Sequence, residues 1–155
     1  MPKIENTIEV NASPETVWSI VADPTYITKL TPDILSFTVE PPGLTTVGQK
    51  GHGIFKVAGR RTEFFTEVVE VEPNRKSVVK NRPGGLLKTF ISTGTLEPMK
   101  RGTRFINTTE YELSMGYLGK VLNTLVVARA IRRNINVSLK NLKEIAELKE
   151  MPKTT

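Results

Sequence analysis

Hydrophobic and polar positions follow two different periods along this 155-residue chain. In the first segment, KIENTIEV at residues 3–10, the side chains of Ile4, Ile8 and Val10 fall on one side of an extended backbone. A period of two is typical of a strand that buries one face. The pattern therefore predicts that the first element is a half-buried β-strand.

Two short helices are predicted in the next segment, NASPETVWSIVADPTYITKLTP. Ser13 is a good amino-terminal cap, and Pro14 suits the first helical position because the N–H that proline lacks would have no partner there. Pro24 begins the second helix, and Pro32 ends it. The prolines keep both helices short and leave the sheet free for a longer helix. We expect Trp18 to anchor the first helix in the core.

Residues 34–115 have the pattern of six further strands separated by short turns. The predicted strands are SFTVE, QKGHGIFKV, RRTEFFTEVVEVE, KSVVKNR, LLKTFISTGTLE and TRFINTTEYELSM. Glycine, proline and asparagine mark tight turns between them, for example at Ala58-Gly59 and at Pro73-Asn74. Short loops between consecutive strands favour an antiparallel meander.

A helical period replaces the strand pattern from about residue 116 to residue 149. Hydrophobic residues recur there every three or four positions, which marks one apolar stripe on a long helix. The stripe consists of Leu118, Val121, Leu122, Leu125, Ala128, Ile131, Ile135, Leu139, Leu142 and Ala146. Such a helix would be roughly 45 Å long. Seven antiparallel strands with one long helix predict an α+β fold in which a curved sheet wraps around the helix and leaves a cavity.

Length and composition are those of a single globular domain, which we place at residues 1–150, with a disordered tail at residues 151–155. Cysteine is absent, which removes disulfides and thiol chemistry. The amino terminus does not have the basic start and apolar run of a secretion signal. No apolar stretch approaches the ~18 residues that cross a bilayer. We therefore expect a cytoplasmic protein without a transmembrane segment.

The net charge is +6, but lysine and arginine are spread along the chain in runs of no more than two residues. A solvated basic surface explains this distribution, and we do not expect nucleic acid as a partner. A single histidine, no cysteine and scattered carboxylates also predict neither a metal site nor a cofactor. The oligomeric state is not predicted.

Four stretches of the sequence resemble the helix-grip superfamily, which is also called Bet v 1-like, START-like or SRPBCC. They are IEVNASPETVWSIVADPTYITKLTP, VVEVEPNRKSV, TGTLEPMKRGTRF and LKNLKEIAE. Within the superfamily, the chain is most similar to the polyketide cyclase/dehydrase and lipid-transport group. The resemblance implies the element order β-α-α-β6-α and an apolar pocket between sheet and terminal helix. It also implies that two hairpin loops form the pocket entrance, at Ala58, Gly59, Gly84 and Gly85.

Strand alternation predicts which side chains face this pocket. Most are apolar, with a few hydroxyls and one amide, which is typical of small-molecule sites. The expected ligand-binding residues are Phe64, Thr66, Val68, Phe90, Ser92, Leu96, Phe105, Asn107, Thr109 and Tyr111 from the strands, with Leu125 and Arg132 from the helix. The alternative is that these side chains pack directly against the helix and leave no cavity.

Three residues are candidates for catalysis. His52 could act as a general acid or base near neutral pH, although a lone histidine is more often structural. Arg132 falls on the apolar stripe and could pair with an anionic ligand group, or its charged end could reach solvent from the edge of the stripe. Tyr111 is the third candidate.

These observations favour a protein that binds or carries a small hydrophobic ligand, such as a lipid, an isoprenoid or a polyketide-like compound, which could be anionic. A second hypothesis is an enzyme of polyketide cyclase or dehydratase type, in which His52, Tyr111 or Arg132 would move protons or stabilise an enolate. A third is a basic interaction module whose pocket is vestigial.

Overall fold

The computed structural model describes residues 3–57, 59–84, 87–113 and 121–151. These residues contain a sheet of seven antiparallel strands in the order β1-β7-β6-β5-β4-β3-β2. The strands are β1 (Lys3–Val10), β2 (Ile34–Glu40), β3 (Lys50–Val57), β4 (Arg60–Glu72), β5 (Lys76–Asn81), β6 (Leu87–Met99) and β7 (Gly102–Leu113). The predicted meander is confirmed, and each strand begins and ends within a residue or two of the predicted position.

The helices of the described residues are α1 (Pro14–Val21), α2 (Ile27–Leu30) and α3 (Val121–Glu150), with a 3₁₀ turn at Pro24–Tyr26. The predicted cap of α1 is present, because the Ser13 hydroxyl accepts a hydrogen bond of 3.2 Å from the backbone N–H of Thr16. The predicted helix start near residue 116 and residues 152–155 of the predicted tail lie outside the described residues.

The sheet bends through irregularities in strand pairing. Register shifts occur on β2, β4 and β6, between Ile34 and Ser36, Val68 and Glu70, and Leu87 and Thr89. An extra residue on one strand bends that strand and increases its twist. The resulting curved sheet holds α3 against its inner face, which is the α+β helix-grip arrangement expected from the sequence.

One end of the sheet is tightly packed, and we call it the closed end. Val10, Leu96 and Phe105 from β1, β6 and β7 are buried there with Leu142 and Ala146 of α3. Burying a valine, leucine or phenylalanine side chain contributes roughly 1.5–3 kcal/mol to the stability of the fold. The other members of the cluster are Ala12, Val17, Ile20, Leu30 and Leu139, and the partly buried Trp18 packs against it. The two short helices therefore close one end of the sheet.

Hydrogen bonds join the carboxyl end of α3 to the start of α1. The Glu147 carboxylate accepts from the backbone N–H of Asn11 at 3.2 Å, and the Glu150 carboxylate accepts from the backbone N–H of Ser13 at 3.1 Å. The Thr16 hydroxyl also donates to Glu150. Anionic groups at this position stabilise the amino-terminal end of a helix. These contacts fix α3 relative to the closed end.

Candidate functional site

The inner face is packed less tightly at the other end of the sheet, which we call the open end. Val127 of α3 is buried there among Phe55, Val57, Leu87 and Ile131, which are all only partly buried. β3 ends at Val57 and β6 begins at Leu87 at this same end. Apolar side chains that face a helix but keep part of their surface accessible are typical of the lining of a ligand pocket.

Three phenylalanines cover the inner face of the strands at the open end. The rings of Phe37 and Phe64 are stacked with centroids 5.7 Å apart, and Phe55 meets Phe64 edge-on at 5.6 Å. Gly53 lies beneath them, since a Cβ atom at this position would lie 2.5 Å from Cζ of Phe64. The missing side chain of Gly53 therefore makes room for an aromatic surface that could contact a flat or branched apolar ligand.

A polar cluster faces the interior between the two ends. The Thr109 hydroxyl donates to Oδ1 of Asn107 at 2.9 Å, and the Asn107 amide donates to the Ser92 hydroxyl at 3.4 Å. Asn107 also lies opposite Asn6 of β1 in the strand register. These neutral groups could orient a polar group of a ligand without burying a net charge.

Asn81 positions two of the lining side chains. Its amide nitrogen donates to the carbonyl of Leu87 at 3.0 Å, and its oxygen accepts from the backbone N–H of Phe90 at 2.9 Å. Both bonds lie across the β6 irregularity, where the strand ladder leaves backbone groups to be satisfied by other partners. Phe90 lies opposite Tyr111, which is buried on the inner side of β7.

The strand residues proposed for ligand binding share the inner face. On β6 and β7 the register places Phe90 opposite Tyr111, Ser92 opposite Thr109 and Leu96 opposite Phe105. On β4, Phe64, Thr66 and Val68 alternate toward the same side. Leu96 and Phe105 belong to the closed end, whereas Phe64 and Phe90 are only partly buried. Ligand contact by these residues stays a prediction.

His52, the candidate general acid or base, lies on the side of the sheet opposite to α3 and therefore does not face the interior. Its imidazole stacks on Phe65 at 4.9 Å and lies 3.4 Å from the Glu63 carboxylate. Phe55 and Val57 of the same strand pack against α3, and alternation turns His52 outward. The sequence did not indicate this orientation, because Gly51 and Gly53 on the inner face have no side chains. This part of β3 therefore lacks an apolar pattern that would identify its buried face.

Leu125 and Arg132 of α3 are both exposed, so the expectation that they line the interior from the helix is also corrected. The helix packs inward through Val127, Ile131 and Ile135, so the apolar stripe passes beside Leu125 and Arg132. The sequence placed Arg132 on the stripe because it falls between Ala128 and Ile135 on a helical wheel. An arginine at such an edge can keep its charge in solvent.

The proposed entrance loops are only partly described. Gly59 and Gly84 are exposed and adopt positive φ angles of 78° and 107°, which glycine tolerates best. Ala58 and Gly85 lie outside the described residues.

Sequence reasoning missed Asn6, Phe37, Phe55 and Leu87 as inner-face residues, although the period-two pattern of β1 already placed Asn6 between Ile4 and Ile8.

Within the described residues, no three histidine, cysteine, aspartate or glutamate side chains are grouped so that they could hold a metal ion. Among the same residues, no helix is long and apolar enough to cross a membrane.

A curved antiparallel sheet around a long helix, with a partly accessible inner face, defines a helix-grip protein. The chain belongs to the polyketide cyclase/dehydrase and lipid transport family, whose profile matches residues 1–147. No curated relative matches the sequence at a significant level.

Solved structures agree with this fold. The Zhui aromatase/cyclase from Streptomyces sp. R1128 is 16% identical, with a TM-score of 0.83 over 96% of this chain and 94% of its own. A START superfamily protein from Mycobacterium smegmatis is 18% identical, with a TM-score of 0.76 over 95% of this chain and 98% of its own. At these identities, the similarity shows the shared fold. The family, described as polyketide cyclase/dehydrase and lipid transport, supports a ligand-binding or cyclase role.

Proposed function

We propose that this protein binds and carries a small hydrophobic ligand between the inner face of the sheet and α3, at the open end. The observation that carries the proposal is the contrast between the two ends. Buried apolar residues fill the closed end, whereas partly accessible aromatic rings line the open end. Accessible apolar surface inside a fold gains free energy when a hydrophobic molecule covers it.

The lining also restricts the ligand chemistry. Phe37, Phe55 and Phe64 favour a planar aromatic or a branched isoprenoid body. Asn107 and Ser92 favour one neutral hydroxyl or carbonyl group deeper in the interior. An ionised group would stay toward the exposed rim, because burying an unpaired charge is costly. A polyketide-like, isoprenoid or lipid molecule with one polar end meets these requirements.

The second candidate is a cyclase or dehydratase, and the position of Tyr111 supports it. Of the three residues that the sequence suggested for catalysis, Tyr111 alone faces the interior. A phenol there could donate a hydrogen bond to a carbonyl oxygen of a bound polyketide-like chain. Carrying ranks first, because His52 and Arg132 lie outside the interior and the hydrogen bonds of the described residues do not join Tyr111 to an acid or a base.

A matched pair of variants on β6 tests ligand binding. Ser92→Leu adds volume to the inner face, whereas Thr93→Leu adds similar volume on the outer face one residue later. We expect Ser92→Leu to weaken binding of the hydrophobic probe anilinonaphthalene sulfonate about tenfold, because overpacking an interior costs about 1–3 kcal/mol. Thr93→Leu should bind like wild type. Fluorescence titration measures both affinities.

Native mass spectrometry of gently purified protein gives the complementary test. A retained hydrophobic molecule, lost in Ser92→Leu and kept in Thr93→Leu, supports the carrier. If the protein converts the retained compound on incubation, and Tyr111→Phe stops the conversion but not the retention, the result supports the cyclase or dehydratase hypothesis. Equal probe binding by wild type and Ser92→Leu would contradict a pocket on the inner face. The third hypothesis, a basic interaction module with a vestigial pocket, would then remain.

A further inference from the structure

The outward side of α3 carries an unbalanced group of positive charges. Arg129, Arg132, Arg133 and Lys140 are all exposed. The sequence of α3 contains no aspartate or glutamate before Glu144. Among the described residues, no ion pair involves any of these four cations. This half of the helix therefore presents a positive surface that its own carboxylates do not neutralise.

Two aliphatic side chains lie beside these cations. Leu125 is 58% exposed and Val126 is 43% exposed, and they lie one turn before Arg129 and two turns before Arg132 and Arg133. Exposed aliphatic residues next to arginines on one helix are typical of helices that lie in the interfacial layer of a membrane.

We infer that this surface, defined by Leu125, Val126, Arg129, Arg132 and Arg133, docks on an anionic lipid bilayer. The arginines would meet negatively charged headgroups, and the two aliphatic side chains would enter the layer beneath them. The arginines alone would also suit nucleic acid, but Leu125 and Val126 would then stay exposed. Lipid is the partner that accounts for both charge and hydrophobicity.

The position of the surface gives the inference a functional direction. Val127 follows Leu125 and Val126 on the chain and packs inward at the open end. Docking would therefore bring the open end to the bilayer, where hydrophobic molecules are stored. The docking itself does not depend on what the inner face binds, so the two proposals can fail separately.

Vesicle co-sedimentation tests the inference with the full chain. Wild type should bind vesicles of phosphatidylcholine with phosphatidylglycerol and should not bind phosphatidylcholine alone, and added salt should weaken binding. Arg129→Gln/Arg133→Gln should weaken binding about 30-fold, because each cation near an anionic surface contributes about fivefold. Leu125→Ser/Val126→Ser should also weaken it, with the charge unchanged.

Two controls isolate the surface from net charge and from misfolding. Arg75→Gln/Arg101→Gln removes the same charge from turns at the closed end and should bind like wild type. Arg129→Lys/Arg133→Lys keeps the charge and should retain binding. Equal loss in the closed-end variant, binding to neutral vesicles, or absence of wild-type binding would each overturn the inference. Arginine-dependent binding of an oligonucleotide without vesicle binding would assign the surface to nucleic acid.

Discussion

Single glycines decide which side chains share the interior. Gly53 and Gly94 both lie under aromatic rings, but the space available to a side chain differs. A Cβ atom at Gly53 would lie 2.5 Å from Phe64 and 2.7 Å from the Ser36 carbonyl oxygen, whereas at Gly94 the nearest atom would be Phe105 at 3.1 Å. The backbone contact at Gly53 cannot be relieved by a rotamer change of a side chain.

Gly53→Ala should therefore destabilise the protein more than Gly94→Ala. We expect the free energy of unfolding to fall by about 1–3 kcal/mol in Gly53→Ala, which is the usual cost of overpacking. Gly94→Ala should cost less, because the Phe105 ring needs to move only a few tenths of an ångström. Urea unfolding of both variants measures the difference, and equal costs would contradict the steric role of Gly53.

The same glycines explain the limit of sequence reasoning at this scale. Alternation predicted the inner residues of β4, β6 and β7, and the inner faces of these strands include the buried side chains of Val68, Leu96 and Phe105. On β3 the inner positions Gly51 and Gly53 carry no side chain, so no sequence pattern distinguished the face of Phe55 from the face of His52. Leu125 and Arg132 were misplaced because the edge of a helical stripe depends on where neighbouring elements lie.

Among the elements, the contact between α3 and α1 depends on ionised carboxylates. The pKa of Glu147 is lowered mainly by the hydrogen bond from Lys143, with a contribution from the backbone N–H of Asn11. The pKa of Glu150 is lowered by hydrogen bonds from the Thr16 hydroxyl and the Ser13 backbone N–H. These bonds join residues far apart in the sequence, and therefore no local pattern could predict them.

This contact should make the stability of the fold sensitive to acid. Because both pKa values are lowered on folding, the carboxylates stabilise the fold above the ordinary glutamate pKa of about 4.3. That stabilisation is lost as the pH falls through the lowered folded-state values. Glu147→Gln/Glu150→Gln should therefore lower the urea midpoint at pH 7 and reduce its decline in acid.

Glu144→Gln is the matched control, because Glu144 lies on the same helix and takes part in no hydrogen bond to α1 among the described contacts. The urea midpoint of Glu144→Gln should depend on pH in the same way as that of the wild type. A double variant that also kept the wild-type midpoint at neutral pH would show that the carboxylates do not hold α3 on α1.

At the scale of the whole molecule, the sequence predicted the order of elements and the curved sheet but not the division into two ends. Hydrophobic periodicity shows which faces are buried, and it does so equally for both ends of a strand. β6 illustrates this, since Leu96 is 2% exposed in the closed-end core whereas Leu87 is only partly buried at the open end. How closely α3 approaches each end depends on its contacts with α1, α2 and β1.

The same substitution at each end of β6 should therefore separate stability from ligand binding. Leu96→Ala removes a fully buried side chain and should lower the free energy of unfolding by about 2–5 kcal/mol. Leu87→Ala should cost less, because part of this side chain is already accessible, but it should weaken probe binding by removing lining surface. Chemical denaturation and probe titration of both variants check this. Equal stability losses, with probe binding unchanged in Leu87→Ala, would mean that both ends serve packing alone and that the inner face has no specialised open end.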